Sequence, residues 1–241
     1  MPLSVKGDEI VLGIANEARK IGNGKVAHLG FSFGGNFSAM TGLSGAVDAA
    51  IVLGGPVDKA WGKENAENLP FGMPGIIGND MGFDKEPNSA DFIGAVQQFS
   101  RRSLLDRADN SPMLVINGAN DYFVPQADTL VFQGRRNTEV HLIPDIGHCA
   151  VLGGPSKLPE VVDLIARWLP AQIGLSYCTA ATPTFARPVH CASSTRLDAL
   201  LKSLMSLNGD YRAHDSNETL RLPPRSRSSQ CCRTLDRKSV V

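Results

Sequence analysis

Eleven residues constrain this chain more than any others: Val26-Ala27-His28-Leu29-Gly30-Phe31-Ser32-Phe33-Gly34-Gly35-Asn36. An apolar run leads into Gly-x-Ser-x-Gly, and a short helical pattern follows. That order reads as a strand, a sharp turn and a helix, with the Ser32 hydroxyl pushed out above the end of a sheet. Glycine is expected at both 30 and 34, because side chains there would clash in so tight a turn. A helix starting after Ser32 would aim free N–H groups and its positive dipole end at that hydroxyl. The pentapeptide gains meaning only if a strand precedes it, a helix follows it, and an acid and a histidine come later.

The rest of the chain supplies those partners. Residues 8–20 predict a helix with Ile10, Val11, Ile14 and Ala18 at helical spacing, ended by Gly22-Asn23-Gly24. Residues 25–31 predict the buried strand that delivers Ser32, and residues 33–40 the helix after it. Further apolar strands are expected at 47–53, 113–117 and 139–143. A helix is expected from Val124-Pro125 through Gln133, and a closing amphipathic helix over 156–169 with Val161, Leu164, Ile165 and Trp168 on one face. Past three of the four strand ends stand Ser32, Asp121 and His148.

Residues 57–110 interrupt this rhythm with Trp61, Phe71, Met73, Ile76, Ile77, Met81, Phe83 and Phe92 set among Gly, Pro, Asn and Asp. The stretch is too long and too apolar for a plain connection. It reads either as a lid over a pocket or as a surface helix pair with its own small core. The lid is preferred, because a site needs walls that exclude water.

A serine hydroxyl is a poor nucleophile until a histidine takes its proton and a carboxylate holds that histidine in the right tautomer. Strand C-terminal ends gather on one edge of a parallel sheet, so Ser32, Asp121 and His148 can converge there. Asp58, which also follows a strand, competes with Asp121 for the acid's place. Asp145 reads as a loop carboxylate. His28 reads as a core residue of the strand before Ser32, and His141 stands on the last strand, too early. His190 and His214 fall in the tail. Cys149 reads as a small buried apolar residue.

Together, Gly30-Phe31-Ser32-Phe33-Gly34-Gly35, Asn117-Gly118-Ala119-Asn120-Asp121-Tyr122-Phe123-Val124-Pro125 and Ile146-Gly147-His148 resemble the C-terminal half of α/β-hydrolases. The nearest likeness is to esterases of the fermentation–respiration switch protein type. That family includes carboxylesterases and relatives that cleave carbon–carbon bonds in ketones. The resemblance covers residues 8–172. It implies Ser32 as nucleophile, Asp121 as orienting acid and His148 as general base, acting on a small-molecule substrate with no metal or organic cofactor; the aromatic and Met content of residues 57–110 adds that part of that substrate is apolar.

The whole fold has about eight strands, of which four are legible here, all at or after the Ser32 turn. The expectation is therefore a partial α/β-hydrolase fold, strands five to eight, with a mostly parallel sheet. One oxyanion donor would be the Phe33 N–H; the second, from a loop after an earlier strand, is expected to be missing. The competing reading is a truncated, non-catalytic hydrolase-like fragment or binding protein. The strand before Ser32 would keep an unpaired apolar edge, which invites self-association.

Charge divides the chain near residue 173. Residues 1–173 carry 14 Lys/Arg against 19 Asp/Glu, and residues 174–241 the remaining 10 against 5, a change from net −5 to net +5. The sum is zero, so no nucleic-acid partner is implied. The expected domains are 1–173, with the insertion at 57–110, and a Ser/Arg-rich tail, 174–241, expected to be mostly disordered. In that tail only 194–207 has a helical pattern. Cys178, Cys191, Cys231 and Cys232 show no metal-ligand or disulfide framework. No signal peptide and no apolar run long enough to span a membrane is legible, so the cytoplasm is the default compartment.

Overall fold

The computed structural model describes residues 3–174. The tail expected at 174–241 lies outside the described residues, apart from Gly174. Its leucine pattern at 194–207 lies outside them too.

Four parallel strands form one sheet in the order β1 (Ala27–Phe31), β2 (Ala49–Leu53), β3 (Met113–Gly118), β4 (Thr138–Ile143). The register pairs Gly30 with Val52 and Phe31 with Leu53, then Leu53 with Ile116. Every residue of β2 and β3 is buried, as expected where helices cover both faces of a parallel sheet. Alternation along the strands splits the core in two. Ala50, Val52, Met113 and Val115 pack with Ala39 and Leu43 of α2 (Phe33–Leu43) on one face. Ala49, Ile51, Leu53, Leu114 and Ile116 meet Val161, Ile165 and Leu169 of the closing helix on the other.

Expected boundaries shift by one to three residues. The strand before Ser32 starts at Ala27, because Val26 pairs outside the strand ladder with Asp48. Helix α2 runs on to Leu43. The helix expected through Gln133 stops at Leu130; past it the chain tightens into turns.

The first helix, α1 (Lys6–Ala18), departs further. Ile10 and Ile14, which recur at helical spacing, are 41% and 63% exposed, and only Ala15 is buried. The contact is made through small residues instead: a Cβ at Gly7 would lie 2.9 Å from the Phe37 ring. Among the described residues β1 pairs on one side only.

Between β2 and β3 come the 3-10 turn Lys59–Trp61, then α3 (Lys63–Ala66), α4 (Met73–Asp80), α5 (Ser89–Val96), a second 3-10 turn and α6 (Arg102–Leu105). Trp61, Ala66, Ile77, Phe92, Val96 and Phe99 form a third cluster, with Phe33 and Met73 against it. The segment thus has a small core of its own, and the same core touches the residue after Ser32.

Both ends of this segment are pinned. Asp128, on α7 (Gln126–Leu130), accepts four backbone N–H bonds from Val57, Asp58, Lys59 and Ala60, at 2.6, 2.9, 2.6 and 3.2 Å. Burial pushes the Asp128 carboxyl up, outweighing those four amide groups. At the far end Arg101, 5% exposed, grips both oxygens of Asp8 and the side-chain oxygen of Asn36. The Arg101 N–H reaches back to the Val57 carbonyl.

Candidate active site

Ser32 sits where β1 hands the chain to α2, with φ 54° and ψ −123°. That backbone is left-handed for a residue with a side chain, and such strain costs about 1–3 kcal/mol unless the surroundings enforce it. They do so here. The Ser32 N–H donates to the Leu53 carbonyl at 2.9 Å, and the Gly35 N–H closes the turn onto the Ser32 carbonyl at 2.8 Å. A Cβ on Gly30 would stand 2.0 Å from the Gly34 carbonyl oxygen, so only glycine fits there. The same expectation for Gly34 is corrected: a Cβ there meets nothing within 4 Å. The second close approach belongs to Gly35, whose Cβ would lie 2.5 Å from the Gly55 Cα.

The Ser32 hydroxyl lies 2.8 Å from His148 Nε2, and His148 Nδ1 lies 2.7 Å from Asp121 Oδ2. A carboxylate only accepts, so the proton between them rides on Nδ1. Nε2 is then left to accept from the serine. The Asp121 side chain is fully buried and His148 nearly so. Four donors hold Asp121: His148 and Asn117 on Oδ2, and the Phe123 and Val124 N–H groups on Oδ1 at 2.8 and 3.1 Å. Chemically, the arrangement can move a proton from serine to histidine and hold the resulting imidazolium against a carboxylate.

Asn117 is the residue that sequence reasoning missed. It is fully buried at the end of β3. Its amide donates to Asp121 Oδ2 at 2.8 Å, while its oxygen accepts the Gly118 and Cys149 N–H groups, each at 2.9 Å. One side chain thus ties the acid to the turn that carries His148. That turn is itself strained, with Cys149 at φ 57° and Ala150 at φ 56°. The only sequence signal was a polar residue inside an apolar strand.

The competing residues lie elsewhere. Asp58 accepts from Ser100 at 3.3 Å and pairs with Arg102 at 3.7 Å, away from His148. His28 is half-buried on β1 with Nδ1 2.9 Å from the Thr41 hydroxyl, and burial lowers its pKa. His141 meets Glu139 near the surface. Cys149 is buried, and burial pushes its thiol well up, so it is no rival nucleophile. Among the described residues no three His, Cys, Asp or Glu side chains group as a metal site would require, and no helix is long and apolar enough to cross a membrane.

Ser32 and His148 open into a cavity of about 250 Å³. Its wall is mostly apolar: Phe33, Leu69, Met73 and Ile77 with Trp61 from the insertion, and Phe123 from the loop after Asp121. The Phe123 ring stands edge-on to His148, centroids 5.1 Å apart. The Phe33 N–H, in the first turn of α2, has no acceptor among the described residues, and Phe33 lines the same cavity as Ser32.

No protein-family model matches this sequence, and no curated protein matches it. Similar solved structures exist. Wild-type AbyA5 is 14% identical with a TM-score of 0.59, over 85% of this chain and 53% of that one. A 2,6-dihydroxy-pseudo-oxynicotine hydrolase is 18% identical with a TM-score of 0.53, over 74% of this chain and 50% of that one. The chain thus spans about half the length of these structures. At such identities the likeness is one of fold: four parallel strands and their helices match the α/β-hydrolase architecture.

Proposed function

We propose that this protein is a serine hydrolase in which Ser32 is the nucleophile, His148 the general base and Asp121 the orienting acid. The observation that carries the reading is the continuous hydrogen-bonded line from the Ser32 hydroxyl through His148 to Asp121, at the floor of an apolar cavity. Its members are 89 and 27 positions apart in sequence, so their meeting is not a local accident.

In this mechanism Ser32 Oγ attacks the substrate carbonyl carbon while His148 Nε2 takes the hydroxyl proton. Negative charge gathers on the carbonyl oxygen, where the Phe33 N–H and the positive end of the eleven-residue helix α2 stabilise it. The leaving group departs with the proton from His148. Water, deprotonated by the same nitrogen, then releases the acyl group and frees the serine. The likeness of residues 30–35, 117–125 and 146–148, taken together, to fermentation–respiration switch protein-type esterases makes a carboxylic ester the first choice of substrate. A ketone cleaved at a carbon–carbon bond is the related choice. By that likeness the four strands correspond to strands five to eight of the family fold.

One observation favours a second reading, a hydrolase-like protein that binds without turning over. No described residue before Ser32 lines the cavity, so Phe33 stands there without a donor from an earlier loop. Loss of one such donor costs about 10²–10³ in turnover. A fluorophosphonate probe separates the two. Covalent labelling of the wild type that Ser32→Ala abolishes, with release of nitrophenol from p-nitrophenyl esters, supports the hydrolase. Labelling without turnover supports the binding protein, and labelling that persists in Ser32→Ala removes Ser32 as nucleophile.

A further inference from the structure

Two aromatic side chains stand largely in solvent beside the cavity. Phe71, between α3 and α4, is 73% exposed, and Tyr122, next to Asp121, is 46% exposed. They come from distant parts of the chain, yet their rings meet edge-on with centroids 5.6 Å apart. Both also stand against Phe123, at 6.0 Å from Phe71 and 4.7 Å from Tyr122. Phe123 in turn lines the cavity and faces His148. A row of rings therefore runs from the His148 imidazole, through Phe123, to two rings open to water.

Burial does not account for the outer rings. An exposed phenyl ring gains little from leaving water. Phe71 also sits on left-handed backbone, φ 58°, followed by Gly72 at φ 68°. A bulky residue rarely adopts that conformation, and where it persists it clusters at active sites and ligand clamps. The insertion does not need this ring to hold together, since Trp61, Phe92 and Phe99 are buried in its own core. The residues flanking the outer rings belong to the cavity. Leu69 and Met73, on either side of Phe71 in sequence, line it, and so does Leu152. A Cβ on Gly153, the residue after Leu152, would lie 3.9 Å from the Tyr122 ring.

The chemistry of a serine hydrolase decides which part of a substrate lies along this row. His148 Nε2 hands its proton to the departing alcohol oxygen, so the alcohol part of an ester lies against His148. The next ring outward is Phe123, then Tyr122 and Phe71. We infer that these three rings form a subsite for the leaving group, and that the alcohol part of the ester carries an aromatic ring, as in a benzyl or aryl ester. The inference rests on the hydrolase reading and deepens it. Ring against ring favours an aromatic alcohol over a saturated one of the same size by about two- to ten-fold per pair.

The test compares benzyl acetate with cyclohexylmethyl acetate, whose alcohols are alike in size and acidity and differ in aromaticity. The wild type should show a kcat/KM about ten-fold or more higher for the benzyl ester. Phe71→Leu and Tyr122→Leu keep an apolar side chain at exposed positions, and each should lower that ratio about three-fold. Ethyl phenylacetate and ethyl cyclohexylacetate carry the same rings on the acyl side. Their ratio should change less than about two-fold in either variant, and their turnover shows that each variant is folded.

Rings that only pin the insertion down would, on substitution, slow both acetates alike. A benzyl ratio unmoved in both variants therefore overturns the inference. So does a wild type with no benzyl preference, or an acyl-side ratio that falls as far as the benzyl one. Fluorophosphonate labelling of the wild type runs in parallel. Labelling with no benzyl preference, or with neither acetate hydrolysed, sinks the leaving-group subsite alone. Absent labelling removes the hydrolase reading itself, and the leaving-group role falls with it.

Discussion

Gly30→Ala isolates what the Ser32 turn demands of its neighbours. The new Cβ would stand 2.0 Å from the Gly34 carbonyl oxygen, 2.4 Å from its carbon and 2.6 Å from the Ser38 hydroxyl. A carbon–oxygen contact settles near about 3.3 Å, so the chain must part by more than about 1 Å. Two of the three obstacles are backbone, which cannot swing aside as a side-chain tip does. Forced repacking of that size costs about 3 kcal/mol. The yielding segment carries Ser32, so its hydroxyl leaves the 2.8 Å contact with His148. A misplacement of about 1 Å lowers reactivity by about 10². Gly34→Ala is the matched control, because its Cβ meets nothing within 4 Å and its φ is not left-handed. In the first turn of α2 an alanine should be neutral or stabilising by up to about 1 kcal/mol. Urea unfolding gives the stabilities, and the second-order rate of fluorophosphonate labelling gives the reactivity. Equal losses in both variants would refute the reasoning, since a general intolerance of the turn, and not the Gly30 contact, would then be the cause.

Three further outcomes are expected. Asp121→Asn should lower esterase kcat/KM by about 10³ or more by unsettling the His148 tautomer, whereas Asp58→Asn, away from His148, should lower it less than three-fold; a large loss in the second and none in the first would reverse the assignment. Asp128→Asn leaves at least one of the four N–H groups at 57–60 facing a donor, so unfolding free energy should drop by about 2 kcal/mol, and an unchanged urea midpoint would contradict the clamp. Asp48 is held down to about 2 because the Val26 N–H, Lys25 and Arg19 outweigh burial. A depressed carboxyl stabilises above its unfolded value of 3.8 and loses that contribution as pH falls toward about 2. With solvent screening, Asp48→Asn should cost about 1 kcal/mol at pH 7 and nothing near pH 2, measured by urea unfolding across that range.

The sheet was legible because its strands are short apolar runs stopped by Gly, Pro or Asn, as at Leu53-Gly54-Gly55-Pro56. The convergence of Ser32, Asp121 and His148 followed from their places past strand ends in a parallel sheet. What stayed hidden depends on contacts between distant residues. Asp128 is one more acid on a short helix until the chain 71 positions earlier turns its amides onto it. Asn117 reads as a strand residue until both the acid and the histidine turn reach for it. The exposure of Ile10 and Ile14 on α1 was not legible, because helical spacing shows which residues share a face, but not whether anything covers it. Gly34 misled because two glycines in one motif need not answer to the same clash.

The pinned ends of the segment between β2 and β3 bear on engineering. Val57–Ala60 are fastened by a side chain from α7, and Arg101 fastens the other end while bonding back to Val57. The stem therefore belongs to the sheet's half of the molecule, and residues 61–99 are a cassette between two clasps that face each other. A graft from another hydrolase spliced at 57 and 110 would discard the amides that Asp128 holds and Arg101 itself, leaving the Asp128 carboxyl, Asp8 and Asn36 without their partners. Cuts at 61 and 99 would keep both clasps shut. Substrate range could then be exchanged with the cassette while the Ser32–His148–Asp121 line stays where it is.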